Sequence, residues 1–269
     1  LVDGIPVLLA GDADDFKSAQ ARYFDDPGDS AFEIARPHSG PALYDWLLAE
    51  RFRRSTSSLG IPLRDAVVLT VCGGSGMDAH FFAEAGASVI SADISLGAAR
   101  RVQERARRHG LDLVPIVADA ERLPFADEAV DVVSVHDGLH HLEDPFRALD
   151  EMARVASRAV VIAEPASAAL TNVAVRFGLA LRVEESGNQV RRLRGADVES
   201  ILRRNGLEVV STRRFAMYYR HVPGQLSRLF SRPLPFAAVR IAYRCVNALA
   251  GRFGNKLAVQ AVRDRSTRR

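Results

Sequence analysis

A mostly parallel α/β sheet with helices on both faces is the fold class this 269-residue sequence predicts. Three observations predict it. From Asp65 onward, short apolar runs rich in Val and Ile alternate with helix-length amphipathic stretches, the pattern of repeated βαβ units. The first apolar run ends in a glycine turn, "VCGGSGM", and the second ends on a carboxylate, Asp93. Helix stop signals fall where the alternation requires them, as at Gly110.

The elements follow in order. Strands are expected over 66–71, 87–92, 113–117, 130–135 and 159–163, each with the apolar run of a buried strand. Between them the pattern gives helices over 77–85, over 95–109 with Ser95 as N-cap and Gly110 as C-cap, and over 145–155. "GADVESILRRNGLEVVSTRRF", 195–215, reads as a helix, a glycine stop and a strand, and "GNKLAVQAVR", 254–263, as a last strand. Upstream, "SGPALYDWLLAERFRR" reads as a helix capped by Ser39 with Pro41 near its start. We therefore expect an N-terminal helical cap over 1–64 and a main domain over 65–269. Within the main domain, an insert near 166–194 and a basic segment at 224–251 stand apart from the repeated units. Such pieces usually cover a ligand crevice.

Composition narrows the function classes. No uninterrupted apolar run approaches the ~20 residues of a membrane span, and no basic region precedes an apolar block at the start, so a cytoplasmic location is expected. Cys72 and Cys245 are the only cysteines, which excludes a disulfide framework and a cysteine-based zinc site. Of the 36 basic residues, 34 are arginine, which with the abundant alanine points to a GC-rich bacterial genome. From Val190 to the end, 17 Arg and one Lys face four acids, so this part carries a net charge of +14 and the rest −11. A basic half meets an acidic partner, a lipid surface or the acidic half of its own chain.

In an open α/β sheet, ligands bind beyond the carboxyl ends of the strands. Gly73, Gly74 and Gly76 stand at the first such end, where the backbone turns tightly and the next helix offers free amide donors. Asp93, at the second, suits a bidentate bond to two ribose hydroxyls. Both features indicate an adenosine-containing cofactor. Since "GSGMDA" also reads as G-x-G-x-x-A, a nicotinamide dinucleotide is an alternative at this point.

Downstream, "VADAERLPFADEAVDVVSVHDGLHHLEDP", 117–145, places Asp119 after the third strand and a double histidine after the fourth. With these motifs the region 66–165 resembles the class I S-adenosylmethionine-dependent methyltransferases, specifically the small-molecule group called methyltransferase type 11. The resemblance implies a Rossmann-like seven-stranded sheet whose last strand is antiparallel, S-adenosylmethionine as cofactor and a small-molecule acceptor. It also implies cofactor contacts from Thr70, Cys72, Gly73, Gly74 and Gly76, from Asp93 and Ile94, from Asp119 and Ala120, and from His136. The family usually has an acid where this chain has Thr70 and a glycine where it has Cys72. The Thr70 hydroxyl can accept a hydrogen bond from the cofactor's ammonium, and Asp78 offers a replacement charge.

Methyl transfer from a sulfonium is an in-line displacement, so the protein aligns the nucleophile and excludes water. For a hydroxyl acceptor, His140 and His141 are the candidate bases. Adjacent histidines point in different directions and no ligand set completes around them, so no metal is expected. Asp137, Glu185, Asn188, Tyr218, Tyr219 and His221 are the candidate substrate contacts, and Tyr23 and Phe24 the candidate lid. The basic segment, with arginines at 228, 232, 240 and 244, leaves peripheral membrane contact, contact with an anionic substrate and homodimerisation open. Nucleic acid is not expected, because no RNA-binding module is recognisable. The leading reading is O-methylation of a sugar-like or other secondary metabolite in natural product biosynthesis. The alternatives are an NAD(P)-dependent oxidoreductase and a non-catalytic partner that keeps the fold.

Overall fold

A computed structural model describes residues 1–9, 15–25, 28, 30–166, 193–219 and 221–263. Seven strands form one sheet: β1 (Val67–Val71), β2 (Ser88–Asp93), β3 (Leu113–Val117), β4 (Val130–His136), β5 (Ala156–Pro165), β6 (Leu207–Phe215) and β7 (Lys256–Arg263). Their spatial order is β3-β2-β1-β4-β5-β7-β6. The first five pair in parallel, whereas β7 runs antiparallel to both β5 and β6.

The helices are α1 (Asp15–Asp25), α2 (Ser30–Ala35), α3 (Ala42–Thr56), α4 (Met77–Glu84), α5 (Leu96–His109), α6 (Pro145–Val155), α7 (Gly195–Arg204), α8 (Gln225–Leu229) and α9 (Pro233–Ala250). Helix α5 starts and stops as its sequence demands: the Ser95 hydroxyl accepts from the Ala98 amide, and Gly110 closes the helix at φ 62°. Helix α6 is capped by Asp144, whose carboxylate accepts from the Phe146 and Arg147 amides. Two apolar layers sandwich the sheet. One holds Leu69, Val133, Leu149 and Met152, and the other Val68, Phe82, Val102 and Val161, all buried.

The structure corrects two expectations about ends. The fifth strand is Ala156–Pro165 rather than 159–163, because α6 runs directly into it at Ala156, which pairs with Val130 across an irregular register. Ser39 does not cap α3. Pro41 occupies the N-cap position, and the Asp45 carboxylate reaches back to the Gly40 amide at 3.2 Å.

The N-terminal part is tied to the sheet as well as lying over it. Residues 6–8 bond to Val117 at the β3 edge, and Ile5 is fully buried with Ala99 and Val117. Arg105, fully buried on α5, donates to the carbonyls of Ser75, Arg36 and Glu33 and so fastens α2 to the turn after β1. Strand order reverses between β1 and its neighbours β2 and β4, the position where open α/β sheets hold ligands.

Candidate functional site

A cavity of about 680 Å³ opens at that point, a size within the usual range of small-molecule sites. Four strand ends build its floor: Cys72–Gly74 after β1, Asp93 and Ile94 after β2, Ala118–Glu121 after β3 and His136–Gly138 after β4. Phe16, Lys17, Tyr23 and Phe24 of α1 cover it, with Tyr219 and His221 on a further wall.

The glycine turn is shaped by close packing beneath it. A β-carbon on Gly73 would sit 2.3 Å from the Ser91 hydroxyl, and Gly76 opens α4 at φ 76°. Cys72 and Asp137 both adopt left-handed backbone, at φ 50° and 49°, strained for residues with a side chain. These two turns abut, since a β-carbon on Gly138 would lie 2.4 Å from that of Cys72. Burial and the surrounding carboxylates, Asp93 first, push the Cys72 thiol well up, so it stands in the wall as a neutral group.

Asp93 accepts from the Gly74 amide through Oδ2 at 2.8 Å and from the Ser95 amide through Oδ1 at 2.9 Å. Burial raises its pKa against the pull of these amides. Each carboxylate oxygen keeps a second lone pair for a ligand hydroxyl. Asp119 is held by the Glu121 amide at 2.9 Å and by the Lys17 ammonium at 2.7 Å, and Lys17 also reaches Glu121 at 3.0 Å. Arg101 joins α1 to the floor: it donates to the Phe24 and Asp25 carbonyls and to the Ser75 hydroxyl.

At the other end lies a chain of charges. Arg51, buried on α3, donates to both oxygens of Asp78 at 2.7 and 2.8 Å and to the Tyr219 hydroxyl at 2.5 Å. His136 sits between two carboxylates, with Nδ1 3.8 Å from Asp78 and Nε2 3.2 Å from Asp137. That Nε2 atom is buried and not aligned for a hydrogen bond within the protein. Lys256, at the start of β7, closes the chain with 2.6 Å bonds to both oxygens of Asp137. Burial would raise Asp78, but Arg51 and then His136 outweigh it and hold the carboxyl below its usual value. Likewise, Lys256 and His136 overcome burial at Asp137 and lower it well below the ordinary range. Glu33 is brought down to about 2 despite its burial, by the His221 imidazole and the Arg36 guanidinium.

The cavity brings together most of the residues named from the sequence. Cys72, Gly73, Gly74, Asp93, Ile94, Asp119, Ala120, His136, Asp137, His141, Tyr219 and His221 all line the cavity, as do Tyr23 and Phe24. Four residues are placed elsewhere. Thr70 lies beneath the turn, its hydroxyl bonded to that of Ser91 at 3.1 Å, so it supports Gly73 from below. Gly76 packs on Val102. His140 is buried off the cavity with Nδ1 2.8 Å from Glu164, whose other oxygen holds the Gly138 and Leu139 amides. Tyr218 is 81% exposed and does not line the cavity. Glu185 and Asn188 lie outside the described residues.

Arg51, Glu33, Arg36 and Lys256 escaped the sequence reading because nothing in their local patterns separates them from surface charges. Away from the cavity, His38, His80 and Glu84 bring three possible ligand atoms within 4.8 Å of one another. Burial and the nearby Arg105 push His80 down to about 4, and Glu84 bridges the two rings. The positive guanidinium beside this trio opposes a bound cation.

The residues present fit an adenosine-containing cofactor: carboxylates at the ends of β2 and β3 flank a glycine turn with no β-carbon in the way, inside a cavity of sufficient volume. Comparison with known proteins agrees. Residues 69–162 match the family model described as a methyltransferase domain. A demethylmenaquinone methyltransferase of Renibacterium salmoninarum is 42% identical over 88 residues, 33% of this chain and 35% of that protein. One from Mycobacterium sp. is 36% identical over 103 residues, 38% and 42% of the two chains. The matches thus span between a third and about two-fifths of these curated relatives.

Among solved structures, a magnesium protoporphyrin IX methyltransferase from Synechocystis PCC 6803 with bound SAH aligns at a TM-score of 0.61. It is 19% identical and covers 92% of this chain and 100% of its own. The cyclase SpnF aligns at 0.62 with 18% identity over 97% and 98% of the two chains. At these identities the likeness is one of fold, and the cyclase shows that the fold alone does not fix the chemistry. Residues 69–162 thus match a methyltransferase domain, set in a sheet whose fold is that of a methyltransferase crystallised with bound SAH.

Proposed function

We propose that the protein transfers a methyl group from S-adenosylmethionine to a hydroxyl of a small molecule, a sugar-like or other secondary metabolite. The observation that carries this reading is the two-ended cavity. Asp93 and Asp119 face one end, where a ribose and an adenine would be held. His136, Asp137, Arg51 and Tyr219 gather at the other, where the acceptor would lie. When bound, the cofactor supplies an electrophilic methyl on a sulfonium. The protein's own part is to orient, exclude water and take a proton. Helix α1 covers the cavity, with Phe24 edge-on to His141 at 5.2 Å. His136, which lines the cavity between Asp78 and Asp137, is the group assigned to take the hydroxyl proton. On this reading residues 1–64 act as a lid on the domain that follows.

The names of the relatives favour a second reading, a demethylmenaquinone-like acceptor. That match carries little weight for the acceptor. Glu33, Arg36, Arg51, Tyr219, His221 and Lys256, which share that end with Asp78, His136 and Asp137, fall outside the matched residues 69–162. The match covers the glycine turn, Asp93 and Asp119, but only some of the groups at the other end.

Calorimetric titration with S-adenosylhomocysteine, with NAD and NADP as controls, tests the cofactor. Micromolar binding of the first alone is expected. Binding of a dinucleotide instead would turn the same floor into an oxidoreductase site, and no binding would favour a non-catalytic partner. Asp93→Ala is expected to weaken S-adenosylhomocysteine by about 1.5–3 kcal/mol, the contribution of a hydrogen bond to a charged group. Unchanged affinity would remove Asp93 from the ligand. Arg101→Ala releases the end of α1 from the Ser75 turn, and its expected signature is a several-fold faster dissociation of S-adenosylhomocysteine by stopped flow. Equal rates would mean that α1 does not gate the cavity.

A further inference from the structure

Helix α9 has no buried residue along its 18 positions, yet it is firmly held. Its inner face packs on Trp46, with Tyr243 edge-on at 5.2 Å and the Arg240 guanidinium 5.8 Å above the indole. Asn247 pins it further through both the amide and the carbonyl of Ala216. The opposite face is the unusual one. Leu234, Ala238, Ile241, Cys245 and Leu249 follow one another at spacings of four, three, four and four, which sets them in one outward stripe. Every one is exposed, with Leu234 at 84% and Leu249 at 82%. Leu226 and Phe230 of the preceding α8 segment extend the same exposed apolar character. A helix that is apolar on both faces is ordinarily covered by something.

The charge around the stripe says what covers it. Arg228, Arg232, Arg244 and Arg252 are exposed, and the sequence has no Asp or Glu from residue 209 to residue 263. A second copy docked by two-fold symmetry would set arginines against arginines with no acid in either patch to pair them. An anionic lipid surface offers both an apolar interior for the leucines and phosphates for the guanidiniums. No described helix is long and apolar enough to cross a membrane, so contact would be in the plane of the interface. We propose that the outward stripe of α9, with α8, docks the protein on an anionic bilayer surface. The chain runs from the cavity wall at Tyr219 and His221 directly into α8, so docking brings the cavity to the lipid boundary.

The test is flotation of the full chain with phosphatidylcholine vesicles and with vesicles that also contain phosphatidylglycerol. The expected result is at least tenfold more protein on the anionic vesicles, declining as salt is raised. The double variant Leu234→Glu, Leu249→Glu should lose that binding while its thermal midpoint and S-adenosylhomocysteine affinity stay unchanged, because both side chains meet solvent. Failure to float with either vesicle would overturn the proposal. So would a dimer in sedimentation that the double variant abolishes, since the stripe would then belong to a second copy. The vesicle readout needs no bound cofactor, so it stands or falls apart from the methyl-transfer reading.

Discussion

Arg51→Met is expected to destabilise the fold by about 3 kcal/mol in chemical denaturation, the lower end of what orphaning a buried ion partner costs. Methionine fills much of the arginine's volume, so the loss comes from charge rather than from a cavity. It leaves the Asp78 carboxylate without the two bonds that now hold it, and the Tyr219 hydroxyl without its donor. The lower end applies because Asp78 lines the cavity and keeps some contact with water.

The effect has a pH signature. With Arg51 present, the Asp78 carboxyl lies below its unfolded value of 3.8, so it adds stability above that value that is lost as the pH falls through the folded one. Without Arg51, burial acts with less opposition and the carboxyl rises. The deficit of the variant should therefore be largest near neutral pH and shrink on acidification. A deficit independent of pH would mean that Arg51 stabilises through packing alone. In the double variant with Asp78→Asn, part of the loss should be recovered, because no unpaired charge then remains.

His136→Gln is expected to lower turnover by a factor of about 10² to 10⁴, with S-adenosylhomocysteine affinity retained. Glutamine keeps polarity and approximate size but cannot take a proton at neutral pH. His141→Ala, at the cavity wall beside Phe24, should have the smaller effect, and His140→Ala should act on stability through the lost bond to Glu164. A large turnover loss at His141 with near-normal His136→Gln would move the base to the wall. Near-normal turnover in all three would leave alignment as the whole of the chemistry.

The contrast among these histidines shows where sequence reading works. His136 was legible as the end of strand four, and its neighbourhood in the cavity follows from strand order. Which of His140 and His141 faces the cavity was not legible. The answer depends on a short 3-10 turn over Leu139–His141 and on Glu164, 24 residues beyond His140, which draws that ring away. Thr70 is similar. Its type suited a ligand contact, but Ser91 on the neighbouring strand takes its hydroxyl and turns it into a support for Gly73.

Sequence by itself determined the sheet, most of the helices and the strand-end residues that floor the cavity, because apolar periodicity, caps and glycine turns are local and act through nearest neighbours along the chain. It also carried the basic, apolar character of residues 224–251. Only the tertiary structure decided the charged end of the cavity, where Arg51 from α3, Asp78 from α4, His136 and Asp137 at the end of β4 and Lys256 from β7 meet. Those charges are paired across as many as 119 residues of sequence, and Coulombic pairing of buried groups depends on distance in space. The outward turn of the α9 stripe was decided there too, because Trp46 and Ala216, the latter through Asn247, hold the other face.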